Sequence, residues 1–181
     1  MLAWPHRRAL EASEPTRPRR SARPAQINVS LRSGIITPAT QAFLDEFAHL
    51  NSYAGRAYRA AYVTPNGAER LRRGVGESFR DAGVQSASTQ FFNALEWRND
   101  RWTRDAAPAA ATKQVVYIYD ESVNKKNLAD TFLADHVAVV PGAVTKVLAV
   151  QEVDDVLYVL MTSPTKMPDR IFNPYTGEEA V

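Results

Sequence analysis

Three short stretches carry side chains whose types could do chemistry. Tyr58-Arg59-Ala60 places a forked, permanently charged guanidinium beside an aromatic ring on a segment that reads as a strand. Ser86-Ala87-Ser88-Thr89 places hydroxyls along a second extended stretch, and Asp135-His136 stands directly before the apolar run Val137-Ala138-Val139-Val140. Each has a plain reading beside the chemical one. Arg59 could be an ion-paired strand arginine, serine and threonine are common at strand ends, and His136 could be a satisfied edge-strand histidine. Trp97 and Trp102, among Arg98, Arg101 and Arg104, could stack on a nucleobase or could be loop aromatics. Arg70, Arg72, Arg73 and Arg80 read as a solvated helix face.

Composition removes several kinds of chemistry. The absence of cysteine excludes disulfides, thiolate metal sites and cysteine nucleophiles. His6, His49 and His136 are scattered without zinc spacing, so no metal is expected. No apolar run approaches the roughly 20 residues that span a bilayer, and Arg7-Arg8 is not followed by the apolar stretch of a cleavable signal. Residues 1–25 hold six arginines and two acids, a net charge of +4, whereas the other 156 residues carry −2. A basic arm on a slightly acidic body argues against a nucleic-acid reader, which needs a basic body face too. Membrane contact is expected only through the arm, and a monomer is expected.

The chain of 181 residues suits one domain. Residues 1–30, rich in Arg, Pro, Ala and Ser, are expected to be disordered or to dock in the body's own cleft, through an arginine or the Arg32-Ser33-Gly34 turn. Thr37-Pro38 signals a helix start, giving a helix over 38–50 with Phe43, Phe47 and Leu50 on one stripe. A strand follows at 56–63, ended by a turn at Pro65-Asn66-Gly67. A second helix buries Ala68, Leu71, Val75 and Phe79 and stops at a left-handed Gly83. Further expectations are a strand at 84–88, a helix over 90–98 with Phe91 and Leu95 inward, and a loop at 99–112. After these come a strand at 114–119, a short helix at 124–133 and a strand at 137–140. A hairpin of 144–153 and 156–162 turns at Asp154-Asp155. Residues 31–165 form the domain, and 166–181, with two prolines and one glycine, read as an irregular tail. Helices in the first half and strands in the second indicate an α+β fold.

Taken together, the three stretches resemble the Arg-Ser-Glu class of mono-ADP-ribosyltransferases, over roughly residues 38–162. That family is a split β-sandwich that binds NAD in a cleft. Its motifs are an aromatic-Arg pair on the first strand, Ser-Thr-Ser on the next, and Glu-x-Glu before an apolar strand and a Pro-Gly turn. Here Tyr58-Arg59, Ser86-Ala87-Ser88 and Ala134-Asp135-His136, followed by Val137 and Pro141-Gly142, stand in those places. The resemblance implies that Tyr58, Arg59, Ser86 and Ser88 would line a cofactor site, with Arg59 on the phosphates of NAD. It also implies that Arg59, Ser86 and the residue at the glutamate position would be the catalytic set.

At that position the chain departs from the family. The catalytic glutamate falls on His136 and the upstream one on Ala134. A neutral imidazole can bond a ribose hydroxyl but cannot supply the fixed negative charge that an oxocarbenium-like ribose needs. A slip of one residue would bring Asp135 there, against strand alternation. Glu121 and Glu152 are the other nearby carboxylates. The frame, with its entry Leu31-Arg32-Ser33-Gly34-Ile35-Ile36-Thr37-Pro38, resembles a narrower group, type III secreted effectors of plant pathogens of the XopAI and HopO kind. This implies delivery into a plant cell, an unidentified host protein as partner, and a pseudoenzyme with weak or no NAD turnover. The alternative is an active transferase or NAD glycohydrolase with a non-standard active site, using Arg59, Ser86 and an unusual acid or His136.

Overall fold

The computed structural model describes residues 24–97, 108–129 and 134–180. The arm as far as residue 23, most of the expected loop at 99–112 and residues 130–133 lie outside them. The chain opens with α1 (Pro24–Arg32), so the end of the segment expected to be disordered is helical. It continues through α2 (Pro38–His49), β1 (Ala57–Val63), α3 (Pro65–Arg73), β2 (Ser78–Arg80), β3 (Gln85–Ser88) and α4 (Phe91–Trp97). Then follow β4 (Lys113–Tyr119), β5 (Lys125–Asn127), β6 (His136–Val139), β7 (Val144–Val153), β8 (Val156–Thr162) and β9 (Ile171–Phe172).

The same device starts two helices. Thr37 Oγ1 accepts the N–H of Thr40 at 3.1 Å with Pro38 at the first helical position. Thr64 Oγ1 accepts the N–H of Gly67 at 3.0 Å with Pro65 in the same place. Pro65-Asn66-Gly67, expected as a turn, is therefore the first turn of α3. Gly67 is required by contact, since a Cβ there would come within 2.3 Å of the Tyr175 carbonyl oxygen. The helix stops at Gly74, nine residues before the expected stop. Val75 is exposed, Phe79 is buried on β2, and Gly83 has no positive φ.

The helix expected at 124–133 is instead the strand β5 over its first residues. Its Lys-Lys-Asn sequence hides the pattern because both lysines satisfy carbonyls. Buried Lys125 Nζ donates to Val123 O at 2.8 Å, and Lys126 Nζ donates to Ala48 O and Leu50 O at the end of α2. The hairpin of β7 and β8 forms as expected. Asp154 (φ 50°) and Asp155 (φ 63°) are both left-handed, as a two-residue turn matched to strand twist requires.

The strands form one curled sheet in the order β5-β6-β3-β1-β4-β8-β7-β2-β9. β1 and β4 pair along seven positions, but β1 and β3 meet only at Tyr58↔Ser88, so the sheet splays between them. The main core lies on the inner face and includes Ala57, Ala61, Val63, Phe79, Ala87, Tyr117, Tyr119, Val137 and Val147. A smaller cluster of Phe47, Leu128 and Ala138 seats α2 on the other face of β6. The segment expected as an irregular tail is packed: β9 pairs in parallel with β2, and Phe172 and Tyr175 are buried in the main core.

Candidate functional site

The three stretches come together on adjacent strands. β3 pairs with β6 through Ser86↔Ala138, Ala87↔Val137 and Ser88↔His136, and Ser88 also faces Tyr58 of β1. Alternation then separates the side chains. Ala87 and Val137 belong to the inner core, as do Ala57 and Ala61 on either side of Arg59. Arg59 therefore points inward. Tyr58, Ser86, Ser88 and His136 point to the other face, where Ala138 meets α2. The expected set shares neighbouring strands but not one face, and its link is a single contact, Arg59 Nη1 donating to the backbone carbonyl of Ser86 at 2.6 Å.

On the inner face the chain surrounds Arg59 with its own groups. Nη2 donates to the Tyr175 hydroxyl at 3.4 Å, and Nε is buried with no hydrogen-bond partner among the described residues. Tyr175 Oη donates to Asp81 Oδ2 at 2.9 Å. Asp81, only 2% exposed, is gripped by Arg32 in a two-pronged pair, Nε to Oδ1 at 2.9 Å and Nη2 to Oδ2 at 2.8 Å. It also accepts the N–H of Gly83 at 2.8 Å. Asn28, one turn before Arg32, exchanges two hydrogen bonds with the backbone of Val84. Helix α1 is thus docked on the loop after β2 by two polar side chains.

Burial opposes the charges here, and the partners outweigh it. Burial would raise the Asp81 carboxyl, yet Arg32, the Gly83 N–H and Tyr175 hold it below the usual carboxylate range. Burial would likewise lower Arg59, but Tyr175, Tyr119 and Asp81 leave it above its ordinary value. Burial drives the hydroxyls of Tyr117 and Tyr119 well up, so both are neutral donors. Tyr117 donates to Pro174 O at 2.7 Å and Tyr119 to Gln85 Oε1 at 2.6 Å.

On the other face, Ser86 is exposed and Ser88 is buried. Ser88 Oγ donates to Asp135 Oδ2, which also accepts Asn93 Nδ2 of α4 at 2.8 Å. These bonds, Ser88 first, keep Asp135 below its ordinary pKa and ionised. Alternation did not exclude Asp135 from this face because it precedes β6, where its carbonyl caps the Thr89 N–H. Burial lowers His136, which stays neutral at pH 7, and the Trp97 ring meets it edge-on with centroids 5.8 Å apart. Tyr58 packs edge-on against Phe91 at 5.4 Å.

Other candidates lie elsewhere. Glu152 is taken by Arg72 of α3 at 2.9 Å, and Glu121 pairs with Arg56 on the surface. Arg70, read as solvated, pairs with Glu77 and stacks on Phe172 at 3.8 Å. Among the described residues no group of three or more His, Cys, Asp or Glu could hold a metal. Sequence reading missed Asp81, Tyr175, Asn93 and the bond from Ser88 to Asp135. Only Asp81 had a signal, an acid just before the glycine of Asp81-Ala82-Gly83.

No sequence family and no curated protein matches the chain. Solved structures do, and they show the fold: it is that of the ADP-ribosyltransferase toxins. Vis toxin, an ADP-ribosyltransferase from Vibrio splendidus, superposes with a TM-score of 0.68 at 16% identity, over 89% of this chain and 78% of Vis. The toxin Plx2a from Paenibacillus larvae gives 0.53 at 10% identity, over 80% and 82%. HopU1 of Pseudomonas syringae gives 0.53 at 10% identity, over 77% and 64%.

The fit to NAD is poor on the inner face. Arg59 Nε is a free donor for an anion, but Nη1 and Nη2 are committed to Ser86 O and Tyr175, and an ionised Asp81 stands nearby. Asp81 is neutralised by Arg32, so a pyrophosphate would have to compete with the Ser86 carbonyl and Tyr175 for the Arg59 guanidinium rather than find it open.

Proposed function

We propose that this chain is a secreted bacterial protein of ADP-ribosyltransferase fold that acts inside a host plant cell, after type III delivery, by binding a host protein. In this reading NAD-dependent turnover is weak or absent. The observation that carries it is the state of the two charges that transferase chemistry requires. The guanidinium of Arg59 is enclosed by Tyr175, Asp81 and the Ser86 carbonyl, and the glutamate position holds a neutral His136. Losing one transition-state charge partner commonly costs on the order of 10²–10³ in rate, and here two are compromised. Secretion is supported by fold likeness to named toxins, whereas type III delivery and a plant host rest on the motif resemblance alone.

A second reading rests on one contact. Asp135 is ionised and held by Ser88, so a carboxylate does stand beside the serine motif. In an active enzyme Asp135 would stabilise positive charge on the ribose. Calorimetric titration with NAD and a nicotinamide-release assay separate the readings. The first expects no saturable heat and no release. Release by the wild type that disappears in Asp135→Asn would replace it with the second.

A further inference from the structure

Helix α1 ends in a way that leaves apolar side chains in water. The N–H of Gly34 donates to Leu31 O at 3.2 Å and that of Ile35 to Ser30 O at 3.1 Å, with Gly34 at φ +70°. This is the Schellman ending of a helix, in which the residue after the left-handed glycine commonly packs on an apolar side chain in the last turns. Here those places hold Ser30 and Val29. Val29 is itself 68% exposed, and Ile35 stays 64% exposed. Ile36, next along, is 50% exposed. Exposed apolar residues grouped in one short stretch mark an interaction site, whereas a single one such as Phe92 is ordinary.

The polar groups of this loop are already satisfied. Ser30 Oγ donates to Ile35 O and accepts the hydroxyl of Thr40 in α2 at 2.7 Å. Ser33 Oγ donates to Ser30 O at 2.9 Å. Both backbone groups of Ile35 are therefore bonded inside the protein, and taking that residue out of water strands neither. Charge narrows the choice of surface. Residues 1–25, which lead into α1, carry six arginines and a net charge of +4. Arg32 is engaged by Asp81, so the free positive charge beside the loop is that of the arm. Reversible membrane attachment takes two such signals, an apolar insertion and a basic segment. A nucleic acid would use the arginines and leave the isoleucines in water, and a neutral protein groove would use the isoleucines without the arginines.

We propose that the α1–α2 loop and the arm together form a peripheral binding surface for anionic lipid. Ile35 and Ile36 enter the headgroup region, and the arm's arginines meet the lipid anions. The membrane contact expected through the arm alone thus gains an apolar part. The surface is independent of the transferase reading.

The test is sedimentation of the whole chain with vesicles of phosphatidylcholine holding about one-third phosphatidylserine, beside vesicles of phosphatidylcholine alone. Binding to the anionic vesicles is expected, at least about tenfold weaker on the neutral ones and weakened by salt. Ile35→Ser with Ile36→Ser is expected to weaken binding at least about tenfold, and Arg19→Gln with Arg20→Gln about tenfold. Phe92→Ser, at an exposed ring elsewhere, is expected to change nothing. The chain has no cysteine, so Ile36→Cys takes a single polarity-sensitive dye, whose emission is expected to shift to the blue on the anionic vesicles. No binding to those vesicles, binding that the two serines leave unchanged, or a dye that stays in water overturns the proposal. Duplex DNA bound as tightly as the vesicles, with the serine pair without effect, assigns the arm to nucleic acid and overturns it as well.

Discussion

The two faces of β1, β3 and β6 treat their polar groups in opposite ways. Inward, Arg59, Asp81, Arg32 and Tyr175 bond to one another, and those partners come from α1, the loop after β2 and the turn after β9. Outward, Ser86 is exposed, and Ser88, Asp135 and Asn93 form a small local set beside His136. A buried charge must be satisfied by the chain itself, so the inner set ties both ends of the described chain to the sheet. The outer set has no such duty. The inner face thus contributes to stability and the outer face retains groups able to meet a ligand.

The sharpest way to break this contrast is Asp81→Ala. It strands Arg32 and removes the acceptor of Tyr175, and a loss of about 3–5 kcal/mol in denaturant unfolding is expected. Tyr175→Phe keeps the ring and deletes the link between Arg59 and Asp81, with an expected loss of about 1.5–3 kcal/mol. Ser88→Ala, on the outer face, removes one hydrogen bond to a charged group and is expected to cost about 1.5 kcal/mol. Phe92→Ser, at a ring 76% exposed, should stay within about 0.5 kcal/mol. An outer-face loss as large as that of Asp81→Ala would erase the distinction.

Acid sharpens the same comparison. Asp81 has a lower pKa in the folded chain than its ordinary 3.8, so the unfolded chain binds the proton first. Its contribution is complete above about pH 4 and is lost as pH falls through the folded value. Asp81→Asn is expected to flatten the acid limb of a stability-against-pH curve, since the residual slope then comes from other acids such as Asp135. His136 is expected to titrate below its ordinary 6.5 when followed by NMR.

Local signals in the sequence were legible where the structure is local. Thr37-Pro38 started α2, alternation gave β1 and β4, and Asp154-Asp155 turned the hairpin. The motif frame placed Tyr58, Ser88 and His136 side by side across three strands. What failed depended on distant partners. Gly67 looked like a turn residue because the Tyr175 carbonyl it accommodates lies far along the chain. The β5 lysines looked helical because the carbonyls they satisfy belong to α2 and to the preceding loop. Arg59 was read as open to a ligand because Arg32, Asp81 and Tyr175 are scattered in sequence and meet only on folding.

Nicotinamide release from NAD by the wild type, beside Tyr175→Phe and His136→Glu, tests most directly whether the inner arginine is closed to the cofactor. No release above background is expected in the wild type or in His136→Glu, because restoring an outer-face charge leaves Arg59 engaged inside. Robust turnover by the wild type, lost on Arg59→Ala, would contradict the account.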